Sequence, residues 1–320
     1  MAWHVKDADP TLKGEADESR IFIEETRRRK MPYGAIVGKW GGEGPFLHFA
    51  DGSIKFDFVR GMGTNLFGYR AKHLRDVYVS CLSSPFFAEN HLSPSNYYAH
   101  FLEAVLKESP RHLCHVFPCS SGAVANEFAL KMALSKKECK TKTIFAFTGA
   151  FHGRTIAASY LTDLPNDRPG FPAWSKIIRV PFYDPVKPEQ SISHSQAVFQ
   201  EALRRCRGNA TCFFLEPFQG EGGFHIAPRE FFLPLFEIAK NENIPLIFDE
   251  VQTGLRTGNF LYSQRLNLEQ FADIVTMGKA LQVSAVLFTK EFSAERGIAQ
   301  TTPMTILQAI LGAHTVRYLR

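Results

Sequence analysis

Apolar and polar positions along this chain change period twice. From 45 to 59, "PFLHFADGSIKFDFV", they alternate on both sides of Asp51-Gly52, which predicts a β-hairpin closed at that dipeptide. Residues 94–109 have helical spacing behind a serine able to cap the first turn. Beyond residue 113, short apolar runs alternate with helical ones. Strands are predicted at 143–147, 211–216, 245–249, 273–277 and 285–289, with helices at 122–135, 196–207 and 229–241. That alternation predicts an α/β fold with a mostly parallel central sheet covered by helices on both faces. Residues 1 to 30 read as a polar arm and a charged helix, and no internal repeat is present.

Composition narrows the classes. Of the 320 residues 45% are hydrophobic and 22% charged, the balance of an ordinary globular protein. The 29 phenylalanines predict thick aromatic packing or a broad buried interface. The net charge of +5 is spread thinly, and the one dense basic run, Arg27 to Lys30, reads as a solvated helix end; no nucleic-acid partner is expected. No secretory signal opens the sequence, and no apolar run of about eighteen residues suits a membrane span. Six cysteines without a CxxC spacing read as free, buried thiols in a reducing cytosol, so a cytoplasmic protein without a metal site is expected.

The candidate chemistry lies at the ends of predicted strands, where open α/β sheets collect ligands. "IFDEVQTG" puts Asp249 after an apolar strand, and a buried carboxylate needs a partner. "CSSGAVANEFALK" opens a helix behind Ser120, Ser121 and Gly122; it is either a plain capped helix or an anion site suited to phosphate. "GAFHGRT" offers the ring of Phe151, the imidazole of His152 and the guanidinium of Arg154 on one turn. "LEPFQGEGG" contributes Glu216 and Glu221. In "DIVTMGKAL", Lys279 is either a snorkelling surface residue or, if poorly solvated, an amine nucleophile. A flat phosphorylated aromatic aldehyde with a basic ring nitrogen would satisfy all of these groups, with Asp249 facing the ring nitrogen.

In this order and at these spacings, the motifs "SSGAVANEFALK", "GAFHGRT", "EPFQGEGG", "DEVQTG" with "RTG", and "GKAL" resemble the class III aminotransferases, pyridoxal-phosphate enzymes of fold type I. "DFVRGMGTNLFGYR" (57–70) is also similar to the family's approach to its large domain. The resemblance implies a cofactor, pyridoxal 5′-phosphate, and two regions: an N-terminal arm and hairpin over 1–60, part of a small domain, and a cofactor-binding large domain over 61–320. It implies that Lys279 joins the cofactor as a Schiff base and then shuttles a proton, while Asp249 keeps the ring nitrogen protonated. Gln252 would bond the ring oxygen and Phe151 stack on the ring, beside His152. Ser121, Gly122 and Ala123 would hold the phosphate, together with Thr301 from a neighbouring subunit; a homodimer with shared active sites follows.

Arg154 and Glu221 resemble substrate-binding residues of the 4-aminobutyrate and lysine ε-transaminase branch. The implied reaction moves a terminal amine of a small amino acid or diamine to 2-oxoglutarate, a 2-oxo acid acceptor, by a ping-pong route. Acetylornithine or ornithine transamination, an aminomutase, a decarboxylase and a non-catalytic dimerising paralogue are the alternatives. The sequence departs from the family's pattern at Ala123, at Val124, in the shortened "GLRTG" turn and around Thr301. Family members continue for about another hundred residues, so the C-terminal part of the small domain is expected to be absent here.

Overall fold

The alternation around Asp51-Gly52 folds as expected. The computed structural model describes residues 6, 7, 9, 11, 24, 37–83, 95–136, 143–164, 176–206, 208–292 and 304–320. Strands β1 (Val37–Glu43), β2 (Phe46–Phe49) and β3 (Ile54–Phe56) form an antiparallel sheet in that order. In the β2–β3 turn, Asp51 Oδ1 accepts the Ser53 N–H at 2.9 Å and Gly52 takes φ +78°, a left-handed conformation that costs glycine little. Helix α1 (Lys72–Leu82) belongs to the same compact unit, residues 1–84. The arm and charged helix foreseen over 1–30 fall almost wholly outside the described residues.

Residues 85–320 form the second compact unit. Helix α2 (Asn96–Glu108) starts where expected, with Ser95 Oγ accepting the Tyr98 N–H at 3.3 Å. There follow β4 (His115–Cys119), α3 (Gly122–Lys136), β5 (Thr143–Phe147), α4 (Ile156–Leu161), β6 (Lys176–Val180), α5 (Pro188–Cys206) and β7 (Ala210–Leu215). A small hairpin of β8 (Phe218–Gln219) and β9 (His225–Ile226) leads to α6 (Arg229–Asn241), β10 (Leu246–Glu250), α7 (Tyr262–Arg265), β11 (Ile274–Met277), β12 (Ser284–Phe288) and α8 (Ile306–Tyr318). The central sheet runs β4-β12-β11-β10-β7-β5-β6. Every neighbouring pair is parallel except the two that β12 makes, both antiparallel.

Both faces of this sheet are covered, which is why its strands read as continuous apolar runs. On one face Ile144, Cys212, Phe214, Ile247, Ile274 and Val286 pack with Phe128, Ala129 and Met132 of α3. On the other, Phe145, Phe147, Phe213, Leu246, Phe248 and Val275 pack with residues of α2, α5, α6 and α8. Much of the phenylalanine surplus is spent here: the rings of Phe145, Phe147 and Phe199 lie 6.2, 4.9 and 5.1 Å from that of Phe213.

Three details differ from the sequence reading. Strands β4 and β6 were not foreseen; they are the sheet's two edges, and their partly exposed patterns hide the apolar signal. An edge position also explains how β4 accommodates Pro118, which cannot donate to a ladder. Helix α5 begins at Pro188 rather than 196, because proline suits the first helical turn while the polar stretch after it shows no apolar stripe. Of the cysteines, 81, 119, 206 and 212 are buried as expected, but Cys114 is exposed, and Cys139 lies outside the described residues. Burial pushes the Cys119 thiol up to about 12, which keeps it from reacting as a thiolate.

Phe213→Ala is expected to lower the unfolding free energy by about 3–5 kcal/mol, because it empties the centre of the aromatic cluster. Val186→Ser, at an 82% exposed position, should change it by less than about 0.5 kcal/mol. Urea denaturation of the two variants checks both.

Candidate active site

The parallel strands end in a row of polar side chains. In register, Asp249 of β10 lies opposite Thr276 of β11. On its other side, the pairing of Ile247 with Phe214 and Phe248 with Leu215 brings Glu216, the residue after β7, level with Asp249. All three share the parity of the α3-facing side chains, and each is at most 4% exposed. Asn126, in the first turns of α3, lies over the row.

Asp249 is bound from several sides. Its Oδ2 accepts Asn126 Nδ2–H at 2.7 Å and faces His152 Nδ1 at 2.8 Å, and its Oδ1 accepts the Val251 N–H at 3.0 Å. Thr276 Oγ1 lies 3.3 Å from Asp249 Oδ1 but 2.7 Å from Asn126 Oδ1, and its single proton goes to the nearer oxygen. That bond fixes the amide of Asn126, whose Nδ2 donates also to the His152 carbonyl at 2.7 Å. With Asp249 as a carboxylate, the hydrogen between the two side chains is donated by His152 Nδ1. The imidazole is 1% exposed, rests edge-on against Phe214 at 4.7 Å, and its Nε2 has no hydrogen-bond partner among the described residues.

Glu250, the second carboxylate of the motif, faces the other way. Strand alternation turns it to the opposite side of the sheet. There it accepts N–H groups of Tyr262 and Ser263 in the first turn of α7 and the hydroxyl of Thr253. It is a helix cap. Burial raises its pKa above the ordinary carboxyl range.

Lys279 follows β11 and lies at the same end of the sheet. It takes φ +47°, a left-handed conformation that a lysine adopts at a cost. Gly278 before it is in close quarters: a Cβ there would stand 2.8 Å from Ser284 Oγ and 3.2 Å from Val251 Cγ1. The amine lies below its ordinary pKa, chiefly because burial strips its solvent; the charges of Glu221 and Asp249 oppose the shift, and Arg256 reinforces it. An amine of lowered pKa is more often neutral and more nucleophilic.

The remaining expected residues surround this end. Ser121 caps α3, its Oγ accepting the Val124 N–H at 3.3 Å, so the N–H groups of Gly122 and Ala123 fall in the first turn, where a helix offers them no partner. Gly122 packs against Val251, and Gly153 against Ala123. Phe151 is half-buried, with the exposed Arg154 guanidinium 5.0 Å from its ring centre. Gln252 packs over Gly220, and its side-chain oxygen is buried without a hydrogen-bond partner among the described residues. Glu221 is exposed. Thr301 lies outside the described residues. Asn126, Thr276 and Arg256 were missed by the sequence reading. Thr276 had a signal, being a polar residue inside an otherwise apolar strand, which folding tolerates only with a partner; Asn126 shares its helix with Glu127 and Lys131 and does not stand out.

A family model for class-III aminotransferases matches residues 32–308. Among curated proteins, acetylornithine aminotransferase of Streptomyces clavuligerus is 34% identical over 247 residues, covering 75% of this chain and 55% of that one. The enzyme of the same name from Methanocaldococcus jannaschii is 31% identical over 79% of this chain and 61% of its own. The chain thus spans less than two thirds of these relatives. Among solved structures, lysine aminotransferase from M. tuberculosis superposes with TM-score 0.76 at 25% identity, covering 91% of this chain and 74% of that one. An omega-transaminase from Thermomicrobium roseum shares the fold, with TM-score 0.80 over 98% of this chain and 75% of its own, at 22% identity. Aminotransferases of this class use pyridoxal 5′-phosphate.

The residues present fit that cofactor. Asp249 Oδ1 keeps acceptor capacity beside its one firm donor, as a protonated ring nitrogen requires. The start of α3 offers amides for a phosphate.

Thr276→Val removes the donor that orients Asn126 and is expected to cost about 1–3 kcal/mol of stability. Combined with Asn126→Ala, the two losses should fail to add by about 0.5–3 kcal/mol, since both act on one network. A double-mutant cycle in urea measures this; strict additivity would show that Thr276 does not act through Asn126.

Proposed function

This chain belongs to the class III aminotransferase family, and from that premise we propose that it moves the terminal amine of a small amino acid or diamine to 2-oxoglutarate in two half-reactions. The observation that carries the reading is Lys279: a partly desolvated amine on a strained turn, at the strand end that also carries Asp249. When bound, pyridoxal 5′-phosphate supplies an aldehyde carbon and a protonated ring that accepts electrons from the substrate carbon.

In this reading each residue has a task. Lys279 would hold the cofactor through Nζ and would carry the proton taken from the substrate carbon. Asp249 keeps the ring nitrogen protonated, and Asn126 and His152 hold its carboxylate in place. The half-buried ring of Phe151 would stack on the cofactor's ring, beside His152, and the Gln252 side-chain amide would donate to the ring oxygen. Ser121, Gly122 and Ala123 bind the phosphate through the start of α3. Arg154 and Glu221 receive the substrate, Arg154 through its carboxylate. A cytoplasmic homodimer, with Thr301 reaching the neighbouring subunit's phosphate, belongs to the same reading and rests on the resemblance.

The relatives' names bear on the donor. Acetylornithine carries its free amine at the end of the side chain, and lysine has a terminal amine too, so both names are compatible with a terminal-amine donor. An acetylornithine-type donor is the second reading, favoured by the names of the sequence relatives.

Two measurements test this. Loaded with pyridoxal phosphate, the protein should turn yellow, and borohydride should fix the cofactor on Lys279, as located by peptide mass; Lys279→Ala should lose the fixation and all turnover. A colourless preparation would fit a non-catalytic module instead. A donor screen against 2-oxoglutarate should then rank terminal amines above α-amines, and the reverse ranking overturns the donor class.

A further inference from the structure

Glu216 is a buried carboxyl group that the reading above leaves without a task. It stands beside Asp249 in strand register and is 4% exposed. Its Oε2 accepts the Phe151 N–H at 2.8 Å, and its Oε1 accepts the Gly220 N–H at 3.3 Å. These two amides belong to separate glycine-rich turns. One turn carries Phe151 and Arg154, and the other leads to Glu221. Asp249 and Lys279 are the charged groups that act on Glu216.

Two carboxylates side by side in a poorly solvated site do not both stay ionised at low cost. Asp249 has the better claim to the charge, with donors from Asn126, His152 and Val251, against two backbone amides for Glu216. Burial first, and the charge of Asp249 second, raise the Glu216 carboxyl well above its ordinary range; its two amide bonds and Lys279 pull the other way without offsetting this.

We propose that Glu216 is a positioning residue: a carboxylic acid kept neutral at the end of the sheet, which clips the 149–153 and 220–223 turns together and leaves Asp249 as the single negative charge offered to the ring nitrogen. The proposal rests on the aminotransferase reading for what Asp249 faces. Its first observable does not need the cofactor.

The infrared spectrum of the cofactor-free protein at neutral pH should show the carbonyl stretch of a protonated carboxylic acid, lost in Glu216→Gln and retained in Glu250→Gln. A spectrum unchanged by Glu216→Gln overturns the proposal, whatever the cofactor does. In the loaded protein, Glu216→Gln should keep the pH midpoint of the bound cofactor's absorbance, because it replaces one neutral group with another, while its single acceptor oxygen can hold only one of the two N–H groups. Glu216→Ala, which removes the acceptor of both amides, should weaken binding by about tenfold or more, the scale on which supporting residues act. A midpoint moved by about one unit or more in Glu216→Gln would mean that a real charge was removed, and this also sinks the idea. Failure of borohydride to fix the cofactor on Lys279 in the unaltered protein would count against the aminotransferase reading, while the infrared comparison still decides the state of Glu216.

Discussion

A carboxylate held almost out of water, that of Asp249, is the constraint around which this end of the sheet is organised. An unpaired buried charge costs far more than one hydrogen bond returns, so the chain must supply several donors or a cation. It supplies donors from three places: Asn126 on a helix, His152 on a turn, and the backbone of Val251 just past the strand. Those bonds also lock their owners. The carbonyl of His152 is tied back to Asn126, and Thr276 sets which way the Asn126 amide points. Moving any member changes the orientation of the rest, which is how a few buried polar groups specify one geometry.

The division of labour between Asp249 and Glu250 comes from strand alternation alone. Adjacent residues of a strand face opposite sides, so one carboxylate meets the α3 layer and the other the α7 turn. Glu250 spends its oxygens on capping α7 and holding Thr253, and so stabilises the loop on which Gln252 and Arg256 stand. A motif that reads as a pair of acids is therefore one site carboxylate and one structural cap.

The central strands β5, β7, β10, β11 and β12 were legible in the sequence because burial on both faces makes them continuous apolar runs. The edge strands were not, because partial exposure and Pro118 dilute that signal. The antiparallel course of β12 was not visible either, since a run such as "SAVLF" reads the same in both directions. At the site, motif order revealed residues whose chemistry is unusual for their position, such as Lys279 after an apolar strand. It did not reveal Asn126, Thr276 or the pairing of Glu216 with Asp249, because these depend on register between segments up to 150 residues apart.

The amine of Lys279 shows how these elements act together. Its neighbours include three carboxyl groups, Glu221, Asp249 and Glu216, whose negative charges would favour an ammonium, yet its pKa is lowered. Burial outweighs them, helped by the positive charge of Arg256. Charge count alone would give the wrong sign. A neutral Glu216 would deepen the effect, since a carboxyl group that keeps its proton no longer supports a positive charge nearby. The register that sets Glu216 beside Asp249 would then act twice, concentrating negative charge on Asp249 and reducing it around Lys279. A strand end can thus hold a base and a counter-charge close together without pairing them into an inert salt bridge.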